Sequence, residues 1–115
     1  MTIVADELSL VFSALADPTR RSILERLADG DATVNELTEP SDLTQQAISK
    51  HLKVLERARL ISRTQAGQSR PCVLEAERLD SAVDWIEQNR QIWADRHDRL
   101  EEHLAALRSR SEGSR

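Results

Sequence analysis

Two glutamines, a serine and two lysines recur along one short stretch of this 115-residue chain at a spacing that suits contact with nucleic acid. At about 100° per residue, Gln45, Ser49, Lys53, Gln46 and Lys50 fall within one arc of about 140° on a helix. Ala47, His51, Leu55, Ile48 and Leu52 fill the opposite side. A glutamine amide can pair with an adenine edge, a lysine ammonium with guanine or phosphate, and a serine hydroxyl with base or phosphate. A merely solvated helix face usually mixes acids with bases, and these five residues include no acid. Residues 43–60 are therefore read as a DNA recognition helix, with double-stranded DNA as the partner. Lys53 and Arg57 lie further along it and suit phosphates, or simply water.

Nothing else in the chain assembles into a reaction centre. There is no glycine-rich phosphate loop, no serine or cysteine nucleophile with an evident base, and no pair of carboxylates in a plausible cleft. Neither enzymatic activity nor a cofactor is expected.

The net charge of −4 would count against nucleic acid if it were evenly spread. It is not: between residues 44 and 70, Lys50, Lys53, Arg57, Arg59, Arg63 and Arg70 stand against Glu56 alone. Exposed charges fade over roughly 8–10 Å in physiological salt, so a local basic patch can act on an otherwise acidic body. The single cysteine, Cys72, leaves no internal disulfide framework and fits a reducing compartment. No apolar run is long enough to cross a bilayer and no leader pattern is visible, so a cytoplasmic protein without membrane contact is expected. At 39% hydrophobic and 3% aromatic residues, the core should be aliphatic.

The elements that must hold the recognition helix follow from periodicity and punctuation. Val4, Leu8, Val11, Phe12 and Leu15 recur at helical spacing. Asp17 can cap a second helix with Pro18 in its first turn, and Ile23, Leu24, Leu27 and Ala28 form that helix's inner face until Gly30 stops it. Thr33 and Glu36 have the form of a capping box, opening a short third helix ended by Pro40. Thr44 can cap the fourth. Beyond Leu60, the runs 61–64 and 72–74 flank Ala66-Gly67-Gln68-Ser69 and read as a hairpin, with Pro71 placing its strand at an edge. From Glu77 no glycine or proline interrupts the chain until Gly113. Leu79, Ile86, Trp93, Leu100 and Leu107 are spaced by sevens, joined by Val83 and Leu104 on an adjacent row. A helix of about thirty residues with this stripe carries more apolar surface than so small a chain can cover alone. The expected fold is mainly α with a small β-hairpin wing: a winged helix-turn-helix with a long C-terminal dimerisation helix. Residues 1–108 would form the DNA-binding and dimerisation domain and 109–115 a flexible tail.

FSALADPTRRSILERLADGDATVNEL followed by LTQQAISKHLKVLERARLISRTQAGQSR resembles the ArsR-type winged-helix repressors of bacteria. The DPTRR-x-IL element and the AISKHLKVL core carry the resemblance, which spans roughly residues 8–108. The pattern of Trp85, Trp93, Arg96 and Leu100 resembles a subgroup that lacks the metal-binding cysteines. The resemblance implies a homodimeric, operator-binding repressor, often of its own operon, with dimer contacts from the first and last helices. By position it implies DNA contacts from Thr44, Gln45, Gln46, Ser49 and Lys50, and wing contacts from Arg63, Gln68, Ser69 and Arg70. Arg59 stands where many relatives have glycine, so either the turn there is less sharp or Arg59 adds a phosphate contact. Cys72 replaces a frequent aromatic residue and bears on wing packing.

Several residues admit a plainer role. His51 lies on the inward flank and is expected to be packed and hydrogen-bonded. Metal regulation is the family's best-known property, but the third helix here reads Val34–Thr38 without a cysteine. His97 and His103 are six apart, about 240° around a helix, and cannot face one ion within one chain. No metal ligand is therefore assigned, and a metal-responsive repressor remains the alternative within the family. Cys72 is expected to be structural filler, and Trp85 and Trp93 dimer core, not the lining of an effector pocket. No effector is assigned. From a different class, the same fold could dock an acidic protein through its basic face.

Overall fold

A computed structural model of the chain describes residues 6–113. The elements run α1 (Glu7–Leu15), α2 (Pro18–Ala28), α3 (Val34–Thr38), α4 (Gln45–Arg57), β1 (Ile61–Arg63), β2 (Cys72–Leu74) and α5 (Glu77–Gly113). This is the mainly helical winged helix-turn-helix that the periodicity predicts. Two units are distinguished, one ending at Ala82 and the other beginning at Val83.

Each of α1 to α4 begins on a side-chain oxygen that satisfies amides the helix cannot. Asp6 accepts from the Ser9 amide, Asp17 from Arg20, and Thr44 from Ala47. At Thr33 both halves of the capping box are made, with Glu36 reaching back to the Thr33 amide. The backbone amide of Arg20 holds the Asp17 carboxyl below its usual range, and that of Ser9 does the same for Asp6.

The C-terminus of α4 closes more sharply than its sequence implies. Arg59 has φ 60°, the Arg59 amide donates to the Glu56 carbonyl, and the Leu60 amide donates to the Leu55 carbonyl. These are the two bonds of a Schellman motif, with Leu55 and Leu60 both buried beneath it. Of the two readings left open at Arg59, the less sharp turn is thus corrected. The left-handed position that glycine takes without strain is held here by arginine, because the motif buries two leucines.

The core is aliphatic. Val11, Ile23, Leu27, Ile48, Leu52, Leu55, Leu60 and Ile61 are buried, with Ala14, Ala32, Ala58 and Ala82 filling the gaps between them. Leu52 and Leu55 are fully buried, each worth roughly 1.5–3 kcal/mol relative to exposure. Ala28 departs from the predicted inner face of α2 and is exposed, one residue before the chain turns at Asp29. Val4 lies outside the described residues.

β1 and β2 pair antiparallel, Ser62 opposite Val73. The far side of β2 is not a free edge. Cys72 exchanges both backbone bonds with Ala32, at 2.7 and 3.2 Å, so the segment after α2 is tied to the hairpin. Cys72 is fully buried at this crossing, opposite Ala32. Pro71 is tolerated because it contributes only its carbonyl, which accepts from the Thr64 amide.

In the second unit, α5 continues as one helix to Gly113, so residues 109–113 extend it beyond Leu107. Val83, Ile86, Trp93, Leu100, Leu104 and Leu107 all remain exposed along it.

Candidate nucleic-acid interface

The floor beneath the candidate contact residues is closely packed. Ile48, Leu52 and Leu55 anchor α4 in the core, and Ala47 and His51 are half-buried at its flanks. On the outer side Gln45, Gln46, Lys50 and Lys53 are exposed and Ser49 is half-buried. These five residues line one shallow concavity. All the recognition residues drawn from helical spacing are therefore brought together. Glu56 falls on the same arc about one turn beyond Lys53 and ends the acid-free stretch. Thr44 spends a lone pair on its capping bond to Ala47, which leaves its hydroxyl hydrogen able to donate outward.

His51 is packed, as its angular position predicts. Arg20 donates through Nη1 to His51 Nδ1 at 3.3 Å, while Asp17 Oδ2 lies 3.8 Å from the same nitrogen. The two contacts demand opposite states of Nδ1. A guanidinium can only donate, so the shorter one requires an unprotonated Nδ1, and we assign that tautomer. Arg20 also donates through Nε to the Ala14 carbonyl and through Nη2 to the Ser13 carbonyl, and Arg21 donates to the Leu15 carbonyl. One arginine thus closes the end of α1 and braces α4. Asp17 and Pro18 were legible as a helix start, but Arg20 and Arg21 only as part of a family pattern, and nothing in their spacing disclosed this bracing.

The wing is a two-residue hairpin. Ala66 and Ser69 exchange both backbone bonds around Gly67 and Gln68, with φ positive at Gly67, the first central position, as a II′ turn requires. Gln68, Ser69 and Arg70 are exposed, though the Ser69 hydroxyl is directed at the Ala66 carbonyl. Arg63 is half-buried and folds back: its Nη2 donates to the Arg70 carbonyl at 3.4 Å, and its Nε is enclosed without a partner. Burial pushes the neighbouring Cys72 thiol up, and the nearby Arg63 charge only partly offsets this. Arg63, Gln68, Ser69 and Arg70 border a second concavity, closed on its other side by Thr33, Val34 and Asn35 at the start of α3. Sequence reasoning missed these last residues as part of any site, because their only visible signal was a helix cap. Gln45 donates through Nε2 to Asn35 Oδ1, so the two concavities adjoin through this pair.

On α5, His97 pairs with Glu101 at 2.9 Å. Among the described residues no group of three or more His, Cys, Asp or Glu side chains is placed to hold a metal ion, and no helix is long and apolar enough to cross a membrane.

Compared with known proteins, residues 15–64 match the model of a helix-turn-helix domain family. The chain is 37% identical over 76 residues to the transcriptional repressor SdpR of Bacillus subtilis, covering 66% of this chain and 84% of that protein. Among solved structures, an ArsR family transcriptional regulator superposes with a TM-score of 0.72 at 37% identity, over 77% of this chain and 98% of its own. An ArsR-like transcriptional regulator from Rhodococcus sp. RHA1 gives a TM-score of 0.76 at 28% identity, over 84% and 91% respectively.

Proposed function

Because the chain belongs to the ArsR family of winged helix-turn-helix regulators, we propose that it is a homodimeric transcriptional repressor that reads a pseudo-palindromic operator, its own promoter included. The observation that carries this reading is the acid-free concave face of α4, where Gln45, Gln46, Ser49, Lys50 and Lys53 stand over a fully buried aliphatic floor. Such a face can enter a major groove without reshaping the core. The first turn offers Thr44, Gln45 and Gln46 to base edges and phosphates. Ser49 and Lys50 follow one turn on, and Lys53 reaches the backbone. The wing adds Gln68, Ser69 and Arg70, with Arg63 holding its shape as well as supplying charge.

The exposed apolar stripe of α5 supports pairing with a second copy. A dimer suits two half-sites about one DNA turn, roughly 34 Å, apart. Repression would follow from occupying a promoter.

A gel-shift titration with the chain's own upstream region at moderate salt tests the reading. Preference over scrambled duplex, weakening by several powers of ten from low to high salt, is the expected result. Equal affinity for scrambled DNA would remove operator recognition. Capture of an acidic protein by the same face, without preference among duplexes, would favour an interaction module instead.

A further inference from the structure

This inference rests on the DNA reading above and concerns how one of its residues is aimed. Gln45 is the first residue of α4, and its Nε2 donates to Asn35 Oδ1 on α3. Both side chains are exposed, so the core does not require the bond. A glutamine has three side-chain torsions, and its amide presents a donor and an acceptor that must meet adenine in one orientation. Unheld, that amide samples both faces before contact and loses the freedom on binding. Asn35 supplies a fixed point, since α3 is locked by its capping box, by buried Leu37, and by the Thr38 hydroxyl donating to the Val34 carbonyl. Asn35 also borders the cleft shared with the wing, beside the groove that Gln45 lines. Among the described residues, Gln46 has no comparable side-chain partner, so the two glutamines differ in kind: one is aimed and one adapts.

We propose that Asn35 is a specificity-determining positioning residue: by accepting the Gln45 amide hydrogen it holds that amide in one orientation and so sets the base preferred beneath Gln45. The residue itself need not touch DNA.

The test is selection from random duplexes with the full-length wild type, Asn35→Ala, Asn35→Asp, Gln45→Ala and the Asn35→Ala/Gln45→Ala double variant, followed by binding curves on single-base variants of the selected site. Asn35→Ala should lose about three- to tenfold of the preference at the one base pair also relaxed by Gln45→Ala, with the salt slope unchanged. Asn35→Asp keeps the acceptor and should keep the preference, at lower overall affinity from its charge. The double variant should discriminate no worse than Gln45→Ala alone. The inference is overturned if Asn35→Ala leaves that base preference intact, if it relaxes every position alike, or if Asn35→Asp behaves as alanine does. A wild type that selects no sequence at all would overturn the operator reading first and this inference with it.

Discussion

Gln46 and Lys53 share one exposed arc of α4, yet they would act on a duplex in different ways. A glutamine amide distinguishes bases, so Gln46→Ala should cost about 1–3 kcal/mol of discrimination at one position, measured on single-base operator variants. An ammonium on phosphate is blind to sequence. Lys53→Ala should therefore weaken all duplexes evenly and reduce the salt slope by about one. Arg63 is a poor choice for that comparison, because its guanidinium also braces the wing. Cys72 gives a separate residue-scale prediction. Its thiol is fully buried and its pKa is raised by burial, so it should be nearly inert in the folded protein. Thiol-reagent kinetics should show modification that follows global unfolding; rapid labelling of folded protein would contradict this.

At the scale of elements, the caps and the closing turn of α4 carry the sharpest tests. Asp17 has a lowered pKa chiefly because its carboxylate accepts from the Arg20 amide. The stability this contributes is present above the ordinary carboxylate pKa and lost as pH falls through the lowered folded value. Asp17→Asn keeps a cap but cannot titrate, so its urea midpoint should fall less steeply than wild type between about pH 5 and pH 2.5. Arg59→Gly should relieve the left-handed strain at φ 60°. After the greater freedom of glycine in the unfolded chain is deducted, a gain of about 0.5–1 kcal/mol in urea unfolding is expected. A loss would mean that the arginine side chain supports the turn.

At the scale of the whole molecule, the proposed dimer is tested on the exposed apolar stripe of α5. Trp93 is 72% exposed, and the stripe that it centres continues through Leu100 and Leu107. An aromatic anchor removed from a dimer core commonly costs at least about 2 kcal/mol. Trp93→Asp should shift sedimentation at micromolar concentration to the monomer, and thermal stability should depend on concentration for the wild type but not for the variant. A wild type that sediments as a monomer would remove the dimer from the proposed function.

Much of this was legible in the residues themselves, because the signals are local. Alternation at 3.6 residues separated Ile48, Leu52 and Leu55 from Gln45, Gln46 and Lys50, and a helix delivers that separation wherever it packs. The caps at Asp17, Thr33 and Thr44 are bonds across three residues, and the Gly67 turn fits between two short β-branched runs. Contacts across large sequence separations were not legible. Arg20 reaching His51, Cys72 pairing with Ala32, and Asn35 holding Gln45 join residues whose identities advertise nothing about one another. Arg59 shows the same limit from the other side: local preference left a softer turn open, and the tight one accompanies burial of Leu55 and Leu60. Periodicity determined which faces exist, since it depends only on the backbone's own geometry. Only the packed fold decided which side chains hold the reading face in place, since that depends on where distant segments come to rest.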